Sequence, residues 1–156
     1  EALALLLIDL DHFKPINDKH GHDAGDLMLQ QIAQRLREHV RAGDTVARLG
    51  GDEFAVLVGG ADAEEHAREI ANRLLAELAK PVMYGAERLT VTTSIGVALY
   101  PQHAGTFTAL YKAADEMLYR VKTRGRSGSA VCGEDGELSN SARLHLDVLS
   151  VPSGLL

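Results

Sequence analysis

Thr45-Val46-Ala47-Arg48-Leu49-Gly50-Gly51-Asp52-Glu53-Phe54-Ala55-Val56-Leu57-Val58 is the stretch that decides the fold. Two strand-like runs, Thr45 to Leu49 and Phe54 to Val58, flank a Gly-Gly pair, which is the pattern of a β-hairpin. Gly50 and Gly51 allow φ > 0 at the turn and put no side chain over it, so a large ligand can lie across it. Asp52 and Glu53 place hard oxygen ligands at the tip, where a divalent cation could sit. The combination points to metal-assisted chemistry on a phosphate ester.

Upstream, Ala2 to Leu10 is a continuous apolar run that ends in Asp9-Leu10-Asp11. It reads as a central strand, and it is too short to span a bilayer. His12 to Asp23 is polar, with Pro15, Asn17 and Gly21, and is expected to be a loop with at most a short turn. A helix is expected from Asp23 or Ala24 to about Val40, because Leu29, Ile32, Leu36 and Val40 recur at helical spacing, with Gly43 as its stop.

Downstream of the hairpin, Asp62 is placed to cap a helix running to Ala79, with Pro81 as the stop. Val82 to Tyr84 and Leu89 to Tyr100 read as strands joined at Gly85. Thr106 or Thr108 caps a last helix through Val121, ended by Gly125, and Ser129 to Cys132 reads as a final short strand. The order is β-α-β-β-α-β with an added helix and strand. That is an α/β (α+β) fold with a ferredoxin-like core. It places the end of the first strand beside the hairpin turn, so Asp9, Asp11, Asp52 and Glu53 are expected to converge at one edge of the sheet.

The 156 residues suit one domain, and 46% apolar with 24% charged residues is the balance of a globular chain. A net charge of -6 argues against a general DNA or RNA binder. An anionic ligand must then be held by local basic groups and metal. Cys132 stands alone, so no internal disulfide forms, and cytoplasmic residence is expected. No cationic leader with a cleavage site is seen. The chain opens inside a strand and is expected to be a piece of a longer protein, with residues 1–132 as the folded domain and 133–156 as a linker or tail.

Each cluster has a chemical and a plainer reading. Phosphoryl transfer needs cations to neutralise a triphosphate and acidify the attacking hydroxyl, and Asp9, Asp11, Asp52 and Glu53 suit that; the plainer reading is a pair of solvated acidic turns. Lys14 can reach a phosphate. Asn17 and Asp26 offer amide and carboxylate groups, and a carboxylate accepting from N1–H and N2–H suits guanine while repelling the acceptor N1 of adenine. Lys122 and Arg126 flank Gly125, where they clamp phosphates or simply complement the dipole of a helix C-terminus. Arg41-Ala42-Gly43-Asp44, from the residues alone, reads as a surface ion pair. His22 adjoins the guanine-reading segment. His39, His66, His103 and His145 show no metal-ligand spacing, and Cys132 reads as an idle or buried thiol.

These motifs together resemble the GGDEF family, the diguanylate cyclase domains. The match covers roughly Leu3 to Arg126. It rests on Ile8-Asp9-Leu10-Asp11-x-Phe13-Lys14-x-Ile16-Asn17-Asp18, Gly21-His22-Asp23-x-Gly25-Asp26 and Arg48-Leu49-Gly50-Gly51-Asp52-Glu53-Phe54. Thr93-Ser94-Ile95-Gly96-Val97-Ala98 and Ala114-Asp115-x-x-Leu118-Tyr119-x-x-Lys122-x-x-Gly125-Arg126 complete it. The resemblance implies a core like that of nucleotidyl cyclases and polymerase palms. It also implies a reaction in which two GTP become cyclic di-GMP and two pyrophosphates, across a homodimer.

By the same resemblance, Asp9, the carbonyl of Leu10 and Asp52 ligate Mg²⁺ (or Mn²⁺), and Glu53 assists the metal or the deprotonation. Lys14, Lys122 and Arg126 bind phosphates, Gly50 and Gly51 lie against the nucleotide, and Asn17, His22 and Asp26 read guanine over Leu29. Arg41 and Asp44 stand at the family's spacing for an inhibitory product site, which replaces the surface-pair reading. Upstream sensory domains and a downstream EAL phosphodiesterase module are the partners implied. The alternative is a catalytically silent module that binds GTP or cyclic di-GMP; a cyclase accepting mixed nucleotides is disfavoured by Asp26. Three departures stand out: the family's first helix and Asp-x-Leu-Thr segment are absent, Ser127 stands where Asn is common, and His20 where an aromatic is usual.

Overall fold

The computed structural model describes residues 1–133, so from residue 134 on the expected tail lies outside the described residues. The apolar run becomes β1 (Leu3–Asp11), the centre of a five-stranded sheet. The hairpin forms as β2 (Thr45–Gly50) and β3 (Glu53–Gly59). β3 lies antiparallel to β1, with Asp9 opposite Glu53. On the other side of β1 lies β6 (Thr92–Tyr100), also antiparallel, and β7 (Gly128–Val131) extends the sheet parallel to β6. The order β2-β3-β1-β6-β7 is the expected ferredoxin-like core with one added strand.

Helix α2 (His22–Glu38) turns Ala24, Gly25, Met28, Ile32 and Leu36 into the core, while Leu29 and Val40 are only half-buried at its margin. α3 (Ala63–Glu77) buries Ala67, Ile70, Ala71 and Leu74 in the same core. The Arg35 guanidinium donates to the carbonyls of Glu77, Lys80 and Pro81 at 3.3, 2.7 and 3.0 Å, tying α2 to the end of α3. α4 (Phe107–Thr123) begins at Thr106, whose hydroxyl accepts from the Ala109 N–H, and packs on Gly96 of β6. A Cβ on Gly96 would meet the Ala114 carbonyl and the Leu118 backbone, including its Cα at 2.9 Å, so only glycine allows this approach.

Three expectations change. The loop after β1 contains a helix, α1 (Lys14–His20), because Pro15 sits in its first turn, where a missing N–H costs nothing. The long strand from Leu89 to Tyr100 is two: β5 (Glu87–Leu89) pairs with β4 (Val82–Tyr84) in a separate hairpin, and β6 joins the main sheet. Asp62 holds the N-cap position of α3, yet its carboxylate makes no capping bond and turns to Arg41 instead. Among the described residues, no helix is long and apolar enough to cross a membrane.

Candidate active site

The C-terminal end of β1, the hairpin tip and the C-terminal end of α4 meet at a cleft of about 310 Å³. Asp9, Leu10, Asp11, Lys14, Asp52, Lys122 and Arg126 line it, together with His12, Phe13 and Pro15. The β1–β3 register brings the tip here: the Leu10 N–H donates to the Asp52 carbonyl at 3.2 Å, one step beyond the Asp9–Glu53 pair. Gly50 and Gly51 take φ of 139° and 52°, and nothing stands within 4 Å of where a Cβ would be on either. Arg48 braces the turn from below, donating through Nε and Nη2 to the Gly51 carbonyl at 3.0 and 2.7 Å.

Negative charge is concentrated at this tip. Burial, then the charge of Asp9 and a hydrogen bond to it, hold the Asp52 carboxyl above the ordinary carboxylate range. Glu53 is raised by burial first and by Asp9 next. Asp115 of α4 is raised by its burial. The Lys122 ammonium pairs with Asp9 Oδ2 and lowers the cost of ionising all three. Tyr111, Asp115 and Lys122 thus face the carboxylates from one side of α4. Tyr111 packs against the core, and its phenol is raised by burial and then by Glu53.

A second cleft, of about 290 Å³, is lined by Asp26, Leu29, Gln30, Ala33 and Arg48. Arg48 connects the clefts, since it lines this one and grips the hairpin tip of the other. Asn17 is not among its lining residues; its side chain packs on Gly25, where a Cβ would strike Asn17 Oδ1, so the glycine makes room for the amide. His22 is exposed at the start of α2 and lines neither cleft. A wider groove of about 530 Å³ at Ala61, Asp62, Glu64, Glu65 and Arg68 is open and rich in carboxylates, which disfavours a polyanion.

The structure moves Asp11 out of the expected cation set. Its side chain is buried, and both oxygens are spent on Thr92, Ser94 and Ser127. Lys122 and Arg126 are set by the end of α4. The Arg126 N–H returns to the Val121 carbonyl at 2.9 Å and the Gly125 N–H to Lys122 at 3.4 Å, a Schellman closure with Gly125 at φ 113°. Arg126 and Ser127 then both take left-handed backbone, φ 66° and 51°. Asn tolerates that conformation better than Ser, so the departure at 127 costs conformational energy, while the contact made there comes from the backbone N–H.

Arg41 and Asp44 lie at the other end of β3, roughly 20 Å away by strand rise. Arg41 grips Asp62 in a fork (Nη1–Oδ2 3.1 Å, Nη2–Oδ1 2.8 Å) and donates to the Gly59 carbonyl at 3.3 Å. Asp44 faces inward, accepting from the Arg41 N–H at 3.0 Å and lying 3.0 Å from His66 Nε2, while its Oδ1 is buried without a hydrogen-bond partner.

The sequence pattern described as "Diguanylate cyclase, GGDEF domain" matches residues 1–128. The chain belongs to the GGDEF family. Diguanylate cyclase TpbB of Pseudomonas aeruginosa is 48% identical over 128 residues, covering 81% of this chain and 29% of that protein. A solved structure of the TpbB GGDEF domain matches with a TM-score of 0.83 at 40% identity, covering 93% of this chain and 82% of that one. The bifunctional diguanylate cyclase/cyclic di-GMP phosphodiesterase MucR of the same organism is 38% identical over 146 residues, covering 94% of this chain and 21% of its own length. The GGDEF domain with coiled coil of DgcB from Caulobacter crescentus, solved in complex with c-di-GMP, matches at TM-score 0.73 and 25% identity, over 84% of this chain and 70% of that one. The chain thus spans well under half the length of the curated relatives it matches. GGDEF cyclases have a palm-like α+β fold, as expected here, and generally depend on a metal.

The donor set fits a hard divalent cation. Asp9 and Asp52 present carboxylates within hydrogen-bond reach, in a setting that penalises their unscreened charge. Among the described residues no three His, Cys, Asp or Glu side chains form a metal cage. Mg²⁺ is commonly held by one or two carboxylates with the rest of its shell supplied by waters and phosphate oxygens, and two carboxylates are what this tip offers.

Proposed function

We propose that this GGDEF domain is an active diguanylate cyclase, condensing two GTP into cyclic di-GMP and two pyrophosphates as a homodimer. The observation that carries this reading is the cleft joining Asp9 and Asp52 to Lys14, Lys122 and Arg126, linked through Arg48 to the Asp26–Leu29 cleft. One cleft has the groups for a metal-bound triphosphate and the other the groups for guanine. Asp9, Asp52 and the Leu10 carbonyl would hold Mg²⁺ or Mn²⁺, which supplies neutralisation of the triphosphate and acidification of the attacking hydroxyl.

In each half-reaction the 3′-oxygen of one GTP forms a bond to the α-phosphorus of the other. The bond from that phosphorus to the bridging oxygen breaks, and pyrophosphate leaves with the electron pair. Glu53, whose carboxyl burial and then Asp9 hold above the ordinary carboxylate range, stands beside the tip and would take the hydroxyl proton. Lys14, Lys122 and Arg126 hold the phosphates, with Lys122 shared between Asp9 and the incoming anion. Asp26 and Asn17 read the guanine edge over Leu29, with His22 at the margin. The open glycine turn lets the nucleotide cross toward a second subunit. Arg41 and Asp44 serve as the product site, and residues 1–132 are the catalytic unit, working beside sensory or EAL domains in the cytoplasm.

A pyrophosphate-release assay with GTP and Mg²⁺ tests this. Asp9→Asn and Asp52→Ala should each lower the rate by at least about 100-fold. Rates unchanged in both variants would refute the assignment. The second reading, a silent GTP-binding regulator, draws support from a relative named only as a phosphodiesterase, cyclic di-GMP phosphodiesterase NbdA of Pseudomonas aeruginosa, 39% identical over 129 residues. It predicts GTP binding without pyrophosphate release.

A further inference from the structure

Asp11 lines the phosphate cleft, yet its carboxylate oxygens are taken up by protein donors. Thr92 Oγ1 donates to Oδ2 and Ser94 Oγ to Oδ1, each at 2.7 Å. The Ser127 N–H adds a third bond to Oδ2 at 3.0 Å, and Arg126 Nε stands 3.9 Å from Oδ1. A buried carboxylate is tolerated only when its oxygens are satisfied, and here β6 and the α4–β7 loop satisfy them. With those oxygens engaged, Asp11 has little left to offer a cation.

The loop it grips is one that would not hold its shape unaided. Arg126 and Ser127 are consecutive non-glycine residues in left-handed backbone, and such conformations persist only where surrounding contacts impose them. The Schellman closure fixes the chain as far as the Arg126 N–H. Beyond it, the Ser127 N–H bonds Asp11 Oδ2 before Gly128 enters the β6–β7 ladder, so Asp11 holds the chain between the helix end and the sheet.

We propose that Asp11 is a positioning residue that fixes the Arg126–Ser127 loop so that the Arg126 guanidinium stands over the phosphate cleft. The proposal rests on reading that cleft as the triphosphate site. Asp11 acts on the nucleotide through Arg126, with its own carboxylate reaching neither nucleotide nor metal. Its effect falls on the β- and γ-phosphates and spares the base.

The experiment compares binding of 3′-deoxy-GTP, which lacks the attacking hydroxyl, with binding of GMP, both with Mg²⁺. Asp11→Ala should weaken 3′-deoxy-GTP about tenfold or more and GMP by less than about twofold. Asp11→Asn should restore 3′-deoxy-GTP to within about threefold of wild type, because its amide oxygen can take the Thr92 and Ser127 bonds while its NH₂ donates to Ser94 Oγ. Should Asp11→Ala fail to fold, the double variant Thr92→Val, Ser94→Ala, which loosens Asp11 in place, should lower the triphosphate-to-monophosphate preference by about threefold. Asp11→Asn as damaging as Asp11→Ala would overturn the proposal in favour of a charge or metal-ligand role. Equal loss of both nucleotides would overturn it in favour of a purely structural one. A wild-type protein with no preference for the triphosphate would instead refute the phosphate-cleft reading itself.

Discussion

Replacing Asp52 by Asn should stabilise the metal-free protein at neutral pH while removing its response to metal. Folding raises the Asp52 carboxyl by burial and by the charge of Asp9. The unfolded chain therefore releases this proton at lower pH than the folded one. Stability is fully retained below the unfolded value and falls as pH rises through the folded value, above which the penalty is complete. Two unit charges about 4 Å apart repel by about 4 kcal/mol at an effective dielectric of 20. Lys122 on Asp9 offsets part of this, and solvent at the half-buried tip screens more. About 1–2 kcal/mol remains, worth about 2–8 °C in Tm for a domain of this size. The assay is thermal unfolding of wild type and Asp52→Asn at pH 7 and pH 3, with and without Mg²⁺ and 3′-deoxy-GTP. The variant should melt higher at pH 7 without ligand, match wild type at pH 3, and lose the metal-dependent upshift. An Asp52→Asn protein that melts lower at pH 7 and still gains stability from Mg²⁺ with nucleotide would refute the reasoning.

Gly96→Ala should destabilise the domain by about 1–3 kcal/mol in urea unfolding, since its Cβ meets backbone of α4 that cannot step aside. Ser127→Asn should stabilise it by about 0.5–1 kcal/mol by relieving left-handed strain, with the bond to Asp11 kept because it is made by the backbone; equilibrium unfolding reads this directly. Asp62→Asn removes the carboxylate that competes for Arg41 and should lower the half-inhibitory concentration of cyclic di-GMP about threefold, whereas Arg41→Ala should abolish the inhibition; unchanged inhibition in Arg41→Ala would remove the product site from this end of β3.

Much of the fold and site was legible because it is written in local pattern. The hairpin, the buried central strand, α3 and α4 follow from hydrophobic period and from glycine, proline and threonine punctuation. The convergence of Asp9, Asp52 and Glu53 follows from strand order alone. Pro15 misled because proline both breaks helices and starts them, and only the chain after it decides which. Asp62 sits at a cap position, but Arg41, 21 residues away, claimed its carboxylate. The role of Asp11 was invisible because its partners lie 81, 83 and 116 residues along the chain. A period-two pattern places Asp9 and Asp11 on one face of a strand and says nothing of what each meets there. Asp115 and Arg48 carry no local pattern that marks a role; their places beside the carboxylates and at the glycine turn come from tertiary packing.

Phosphodiester formation between two GTP molecules at the Asp9–Asp52 tip is the activity proposed for this domain. Chromatographic quantification of cyclic di-GMP, after incubating the dimerised protein with GTP and Mg²⁺, tests it most directly. Cyclic di-GMP should accumulate with two pyrophosphates per product, and should be lost in Asp52→Ala. Saturable GTP binding with no cyclic di-GMP at any protein concentration would contradict it.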